Sequence, residues 1–561
     1  MNISDSKLLE TIENFRKAVV EDGRIDRAEA MALREFAQPL AAEHKEMAEF
    51  VKLLDDVLED GKVTNEESVR IGGYLSWLVR PEAEPVEEKG LFGRLFRLGA
   101  NRTTVRTEIV AGITTFMTMA YILAVNPNLL SMAGIPRGGV FVATALAAVV
   151  GTLLMAFMSN YPFVLAPGMG LNAFLTFTVC FGMGYSWQFA LLAVFVEGLI
   201  FLALSLTSVR EANFNCIPFT LKKAVAAGIG LFICFIAMQT SGLVVDNPAT
   251  LVQLISFKNA AFHSQGIAAL LAVIGTILTA VMLVKRWKGA ILVGIFVTWI
   301  LGMIAQATGL YVPDPSVKCF SLYPQLSFAG IADTFREFGA TFGAVFSPDS
   351  WTHTVDKAVV AKGWGLAIGL DFFVVMFAFF FVDLFDTLGT LIGVSMKGGF
   401  LTREGKLPRI SGALCADAIA TSVGAVFGTS TTTTYVESAS GVMAGGKTGL
   451  TAVAAAVLFA LSLVFAPVFL AIPAFATAPA LIIVGYMMLS SAVEIDFTDP
   501  GEAIPAFLTI AVMPFAYSIS DGIMWGVISY TLVNLLAGQA RRIHWIMYIL
   551  TVVFVAKYAL M

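Results

Sequence analysis

The sequence predicts an all-α polytopic membrane protein: fourteen spans in two seven-span sets, the second inverted relative to the first, behind a small soluble helical domain. Three observations carry this. The 561 residues are 57% hydrophobic and only 14% charged, with a mean hydropathy of +0.79, a balance that excludes an ordinary soluble enzyme. Charge is crowded at one end: 35 of the first 100 residues are Asp, Glu, Lys or Arg, net −7, against 42 of the remaining 461, net +2. From Glu108 onward, apolar stretches of about 17–25 residues recur, the length that crosses the hydrocarbon core as a helix.

Residues 1–80 set apolar side chains at helical spacing among charged ones (Leu8, Leu9, Ile12, Phe15, Val19; then Phe50, Val51, Leu54, Val57, Leu58), the pattern of a small acidic helical domain. An internal repeat lies within it: Val20–Glu29 (VEDGRIDRAE) matches Leu58–Glu67 (LEDGKVTNEE) at an offset of 38 residues, with Gly23 and Gly61 each ending one helix and starting another. On an EF-hand loop the two glycines take the turn position, and Glu29 and Glu67 the last ligand position. Ala18, Val20 and Leu58 stand where opening oxygen ligands belong, so a helical-turn scaffold is favoured over calcium. The repeat resembles tellurite-resistance-type (TerB-like) helical domains. Met1–Glu21 reads as a charged amphipathic helix, so no secretory signal is expected and the domain stays in the cytoplasm; nothing identifies its partner.

Residues 81–107 are a linker and lead-in: Pro81–Lys89 is charged and proline-rich, and Leu91–Arg97 is amphipathic enough to lie on a membrane surface. The first seven-span repeat, 108–310, has spans near 108–126, 138–159, 164–183, 187–208, 222–241, 266–284 and 289–310. A polar extracytoplasmic loop, 311–365, follows. The second repeat, 366–538, has spans near 366–396, 409–428, 432–446, 450–471, 478–491, 503–519 and 521–538. With a cytoplasmic N-terminus, 15 of the 22 basic residues after residue 100, among them Arg102, Lys222, Lys285, Arg403, Arg409 and Arg541, fall on the inner side, as the positive-inside bias requires. Residues 539–561 form an apolar tail in which Ile543–Leu560 either spans or lies at the interface.

The acidic soluble part argues against nucleic acid. Cys180, Cys216, Cys234, Cys319 and Cys415 show no CxxC or metal spacing and read as packing residues. His44, His263, His353 and His544 lie in the soluble domain, loops or tail, so neither a metal site nor a histidine relay is expected.

Two spans are interrupted by Gly, Pro and small polar residues: Leu165–Phe174 (LAPGMGLNAF) and Phe427–Gly441 (FGTSTTTTYVESASG). Pro167 lies 59 residues into the first repeat and Gly428 lies 62 into the second. Paired broken segments at corresponding places mark a transporter's midplane site, and tight helix packing alone requires neither four consecutive threonines nor the carboxylate that follows. A third element, Phe381–Leu391 (FVDLFDTLGTL), sets Asp383 and Asp386 three apart, on one side of an apolar helix. An ionised Asp at the bilayer centre costs roughly 2.5–3.5 kcal/mol on insertion scales, and none of these three segments carries a Lys or Arg. Asp383, Asp386 and Glu437 are therefore candidates to accept N–H groups of a neutral or cationic solute or to hold a proton. Glu197 and Asp417 read as structural hydrogen-bond partners within the bundle.

These three segments resemble the AzgA-like purine permease branch of the nucleobase–cation symporter-2 (nucleobase–ascorbate transporter) family, over roughly residues 100–560. The resemblance implies a core of spans 1–4 and 8–11, a gate and homodimer surface of spans 5–7 and 12–14, and short extended segments of spans 3 and 10 meeting at the midplane. It implies further that Asn172, Asp383 and Glu437 bind a purine nucleobase, helped by backbone groups of Gly170, Ala173, Thr433 and Thr434, and that Asp386 and Glu437 couple its entry to protons. Thr390 stands where uracil carriers of the family can have histidine. The setting implied is the lipid of a bacterial cytoplasmic (inner) membrane, with no catalytic residue and no cofactor beyond the coupling proton. Members of this branch usually lack the acidic N-terminal domain. Two alternatives are an anion carrier of the sulfate-permease type, which shares the architecture but would need a basic site, and a membrane sensor signalling through the N-terminal domain.

Overall fold

The computed structural model describes residue 12 and residues 25–42, 44–59, 63–78, 90–206, 218–258, 262–314, 319–323, 328–350 and 366–560. Gly23, Gly61 and the linker 81–89 lie outside the described residues. Three helices make up the soluble domain: α1 (Arg27–Ala37), α2 (Lys45–Leu58) and α3 (Asn65–Leu78). Both copies of the repeat end in a capping box. Asp26 accepts from the Glu29 backbone N–H while Glu29 accepts from that of Asp26; Thr64 Oγ1 accepts from the Glu67 N–H while Glu67 Oε2 accepts from that of Thr64. The two glutamates in the last EF-hand position are thus helix caps.

The membrane part follows a lead-in helix α4 (Gly90–Phe96). Its first half runs α5 (Val105–Met119), α6 (Ile122–Leu130), α7 (Arg137–Ser159), β1 (Leu165–Pro167), α8 (Met169–Ala173), α9 (Trp187–Leu206), α10 (Phe219–Thr240), β2 (Val244–Asn247), β3 (Leu251–Leu254), α11 (Ile267–Val284) and α12 (Ala290–Ala307). After α13 (Phe328–Thr341), the second half runs α14 (Leu366–Gly398), α15 (Ile410–Phe427), β4 (Thr432–Thr434), α16 (Ser438–Met443), α17 (Gly449–Ser462), α18 (Ala466–Ala471), α19 (Ala474–Leu489), α20 (Pro500–Phe515), α21 (Ile519–Leu536) and α22 (Trp545–Leu560).

Eleven helices among the described residues are long and apolar enough to cross a membrane, and shorter apolar helices cover Met169–Gly182, Pro500–Phe515 and Trp545–Ala559. Fourteen full-length helices, the expectation from apolar stretches, are therefore not what forms: the third and tenth segments are part strand and part short helix. The 311–365 stretch is not a bare loop either. Its helix α13 packs on α7, with Glu337 accepting from the Gly138 N–H at 2.6 Å.

The helices sort into two groups, each drawing on both halves. In one, α7 packs on α15 and α17, α9 on α14 and α15, and α5 on α17; in the other, α10 packs on α19 and α20, α11 on α12 and α19, and α20 on α21. These are the core and the gate of an inverted-repeat fold. Gly230 and Gly485 allow α10 and α19 to touch backbone to backbone: a Cβ on Gly230 would stand 2.5 Å from the Gly485 carbonyl oxygen.

Candidate functional site

The two interrupted segments meet. β1 and β4 form an antiparallel pair with Leu165 opposite Thr434, Ala166 opposite Thr433 and Pro167 opposite Thr432, continued by Gly168 N–H to Thr431 O at 2.9 Å and Tyr435 N–H to Val164 O at 3.0 Å. The sequence dictates this locally. Gly428, at φ +98°, ends α15 in the left-handed conformation that favours glycine, the β-branched threonines prefer extended backbone, and Pro167 has no N–H to continue a helix. Non-helical backbone at membrane depth persists only where protein or a polar cavity encloses it, and Leu165, Ala166 and Thr429–Thr434 are all buried.

The threonine run is wired to the helices behind it. Thr434 Oγ1 and Thr387 Oγ1 each donate to Asp417 at 2.9 Å. Because Thr387 spends its single proton there, the 2.7 Å contact between Thr433 and Thr387 has Thr433 as donor. Thr421 Oγ1 donates to the Thr432 carbonyl at 3.0 Å, and Tyr435 Oη to the Pro167 carbonyl at 2.5 Å. Asp417 is the structural hydrogen-bond partner expected of it.

Asp383 and Asp386 do not share an environment, contrary to the expectation from their spacing. Three residues on a helix leave a 60° offset, enough to divide them. Asp383, Thr387 and Thr390 lie on the buried face of α14, where Asp383 Oδ2 meets Thr421 at 3.5 Å. Asp386 and Gly389 are exposed, and a Cβ on Gly389 or Gly393 would meet nothing within 4 Å, so Asp386, Gly389 and Gly393 line an opening. Glu437, half-buried, is an electrostatic neighbour of Asp386. Its Oε1 accepts from Tyr121 Oη at 2.9 Å. No ion pair of either acid with Lys or Arg is present among the described residues; Lys222 instead places its ammonium 4.7 Å from the centroid of the Phe385 ring.

Asn172 is fully buried, with Nδ2 3.4 Å from the Pro167 carbonyl and Oδ1 unpartnered. At Gly170 a Cβ would come within 2.6 Å of Ile229, so the span-3 break is pressed against α10 of the gate. Ala173 is fully buried. Two residues escape sequence reasoning. Tyr121 lies at the junction of α5 and α6, inside what reads as one apolar span, and no spacing marks it. Glu197 is fully buried with neither carboxylate oxygen partnered by a donor. It faces Asp383 and Asp417, because Gly198 beside it packs directly on Ala418 and Ser422 of α15; its place inside an apolar helix was the available signal.

Chemically, the site offers carboxylates, hydroxyls and an amide around an enclosed opening, a set suited to a neutral solute rich in N–H groups and unsuited to an anion. A separate cleft of about 420 Å³ lined by Cys180, Tyr185 and Trp187 contains none of these groups. Among the described residues no cluster of His, Cys, Asp or Glu could hold a metal.

Residues 106–525 match the Permease family model Xan_ur_permease. The guanine/hypoxanthine permease PbuG of Bacillus subtilis (strain 168) is 42% identical over 462 residues, covering 81% of this chain and 96% of that protein. The adenine permease AdeP of Escherichia coli (strain K12) is 37% identical over 469 residues, covering 84% and 96%. Among solved structures, the transmembrane domain of the cyanobacterium bicarbonate transporter BicA aligns with a TM-score of 0.50 at 15% identity, over 75% of this chain and 97% of that one, a likeness of fold alone.

Proposed function

The chain belongs to this nucleobase permease family, nucleobase–cation symporter-2, and from that premise we propose that it is a proton-coupled importer of purine nucleobases (adenine, guanine or hypoxanthine) in the bacterial cytoplasmic membrane, its N-terminus inside. The observation that carries this reading is the pair Asp386 and Glu437, two carboxylates without cationic partners, facing an opening beside the β1–β4 ribbon. Glu437, oriented by Tyr121, accepts N–H bonds from the flat base, and Asp386 takes up and releases the coupling proton. Asp383, held behind the ribbon with Glu197 and Asp417, acts on the base through the ribbon's backbone, and Asn172 sets the position of β1. Sliding of the core against the gate alternates access.

Glu437→Gln tests it. Losing one charge-assisted hydrogen bond of about 1.5–3 kcal/mol lowers affinity roughly 10–100-fold, so uptake of labelled hypoxanthine or adenine at low concentration should nearly vanish while the protein still reaches the membrane. Undiminished uptake by that variant would refute the assignment.

A further inference from the structure

The apolar tail is a full element of the bundle. Helix α22 buries Met547, Leu550 and Phe554 and is fastened to the gate at three levels. Arg542, just before it, pairs with Asp499 at the start of α20 at 2.6 Å. Thr551 Oγ1 donates to Thr531 Oγ1 of α21 at 2.9 Å, and Tyr558 Oη donates to Asp521 Oδ1 in the first turn of α21 at 2.8 Å. Contact near both ends of its length makes α22 antiparallel to α21, so it runs across the bundle rather than along one surface.

One charge on this helix is directed elsewhere. Lys557 is only 3% exposed, and its ammonium lies 3.6 Å from Asp371 Oδ1, in the second turn of α14. The other oxygen of the same carboxylate accepts from Tyr185 Oη at 2.5 Å, and Tyr185 belongs to the core, just ahead of α9. Asp371 is thus held on one side by the core and on the other by a helix fastened to the gate. Beside this pair, Phe554 of α22 meets Phe377 of α14 with ring centroids 6.0 Å apart. Asp371 is twelve residues before Asp383 on one helix, about 18 Å along its axis, at the end of α14 remote from the soluble domain. A buried lysine within a membrane bundle is costly unless paired, and this one spans the boundary across which alternating access requires movement.

We propose that the Lys557–Asp371 ion pair is a latch that closes the core against the gate at the end of α14 remote from the soluble domain, and that it opens in each transport cycle. This rests on the alternating-access reading given above. The pair holds the two groups together in the conformation described; when the core slides, Asp371 travels with α14 and Tyr185, and Lys557 stays with α21.

The test uses the full-length chain with its five cysteines replaced, carrying Asp371→Cys and Lys557→Cys, bridged by a short reagent with two thiol-reactive methanethiosulfonate groups. Bridging should lower purine uptake about tenfold or more by trapping one of two interconverting states, and a reductant should restore it. Transport by the bridged protein at the unbridged rate, or failure of the two cysteines to bridge in the membrane, would overturn the latch. Should the cysteine pair not reach the membrane, charge exchange serves instead: Lys557→Asp alone should impair uptake, and adding Asp371→Lys should recover it. An exchange no better than the single reversal would overturn the latch equally. A wild-type chain that takes up no purine would count against the transport reading, which the ratio of bridged to reduced uptake does not measure.

Discussion

Glu108, fully buried at the start of α5, accepts from the backbone N–H groups of Lys447 and Thr448 and from the hydroxyls of Thr448 and Thr451. It therefore caps α17 from the opposite half of the chain. Removing it leaves four donors buried without an acceptor, so Glu108→Ala should destabilise the protein by about 2–4 kcal/mol, measured as a lowered melting midpoint in detergent, with Glu108→Gln recovering part of the loss. Asp386 and Glu437 present the opposite case, acids whose acceptor capacity faces an opening. That a membrane helix carries Asp383 and Asp386 was legible from the sequence, since so few charges remain beyond residue 100. Their separation was not, because a 60° offset on α14 becomes two environments only once α15 covers one face. Glu197 was legible as an intramembrane acid but not as the neighbour of Asp383, a relation set by the close packing of Gly198 on α15.

At the scale of elements, the β1–β4 ribbon shows what composition can and cannot convey. Glycine, proline and a threonine run mark both breaks, and their equal depth in the two halves indicates that they correspond. Their antiparallel pairing and its register arise from tertiary folding and leave no periodicity to read. The tail Ile543–Leu560 was equally open between interface and span; contacts of Tyr558 and Arg542 at opposite ends place it across the bundle. Close helix contacts within the gate were also hidden, for Gly230 and Gly485 are only two of 49 glycines. Gly230→Val should force α10 and α19 apart, since even a Cβ there would stand 2.5 Å from a backbone oxygen. Overpacking of this kind costs about 1–3 kcal/mol or more. The expected outcome is a lower yield of folded protein, read by size-exclusion chromatography, while a valine at Gly389, where nothing lies within 4 Å, should leave that yield unchanged and impair uptake.

Over the whole molecule, the dense charge of the first 100 residues acquires a place. Arg403, in the turn between α14 and α15, pairs with Glu49 of α2 and lies over the rings of Tyr74 and Trp77 of α3 at 4.7 and 4.8 Å. Gly73 packs directly on the Thr402 and Gly405 backbone. The soluble domain therefore sits on the end of the helix that carries Asp386, a contact no sequence pattern announced because its halves are more than 300 residues apart. The Arg403 hydrogen bond holds the Glu49 carboxyl below its ordinary value of 4.5. A carboxyl lowered in the docked state contributes to docking above its ordinary range and loses that contribution as pH falls through the lowered value. Docking should thus be steady near neutrality and weaken only below about pH 4.5. Arg403→Ala should weaken it at neutral pH as well, read as faster proteolytic release of the soluble domain. The central claim concerns what crosses the membrane. Purified protein in liposomes, given labelled purine with and without an inward proton gradient, tests it most directly. The expected result is saturable accumulation that needs the gradient and is blocked by unlabelled adenine, guanine or hypoxanthine but not by sulfate or bicarbonate; uptake of the anions, or no purine uptake under any gradient, would contradict it.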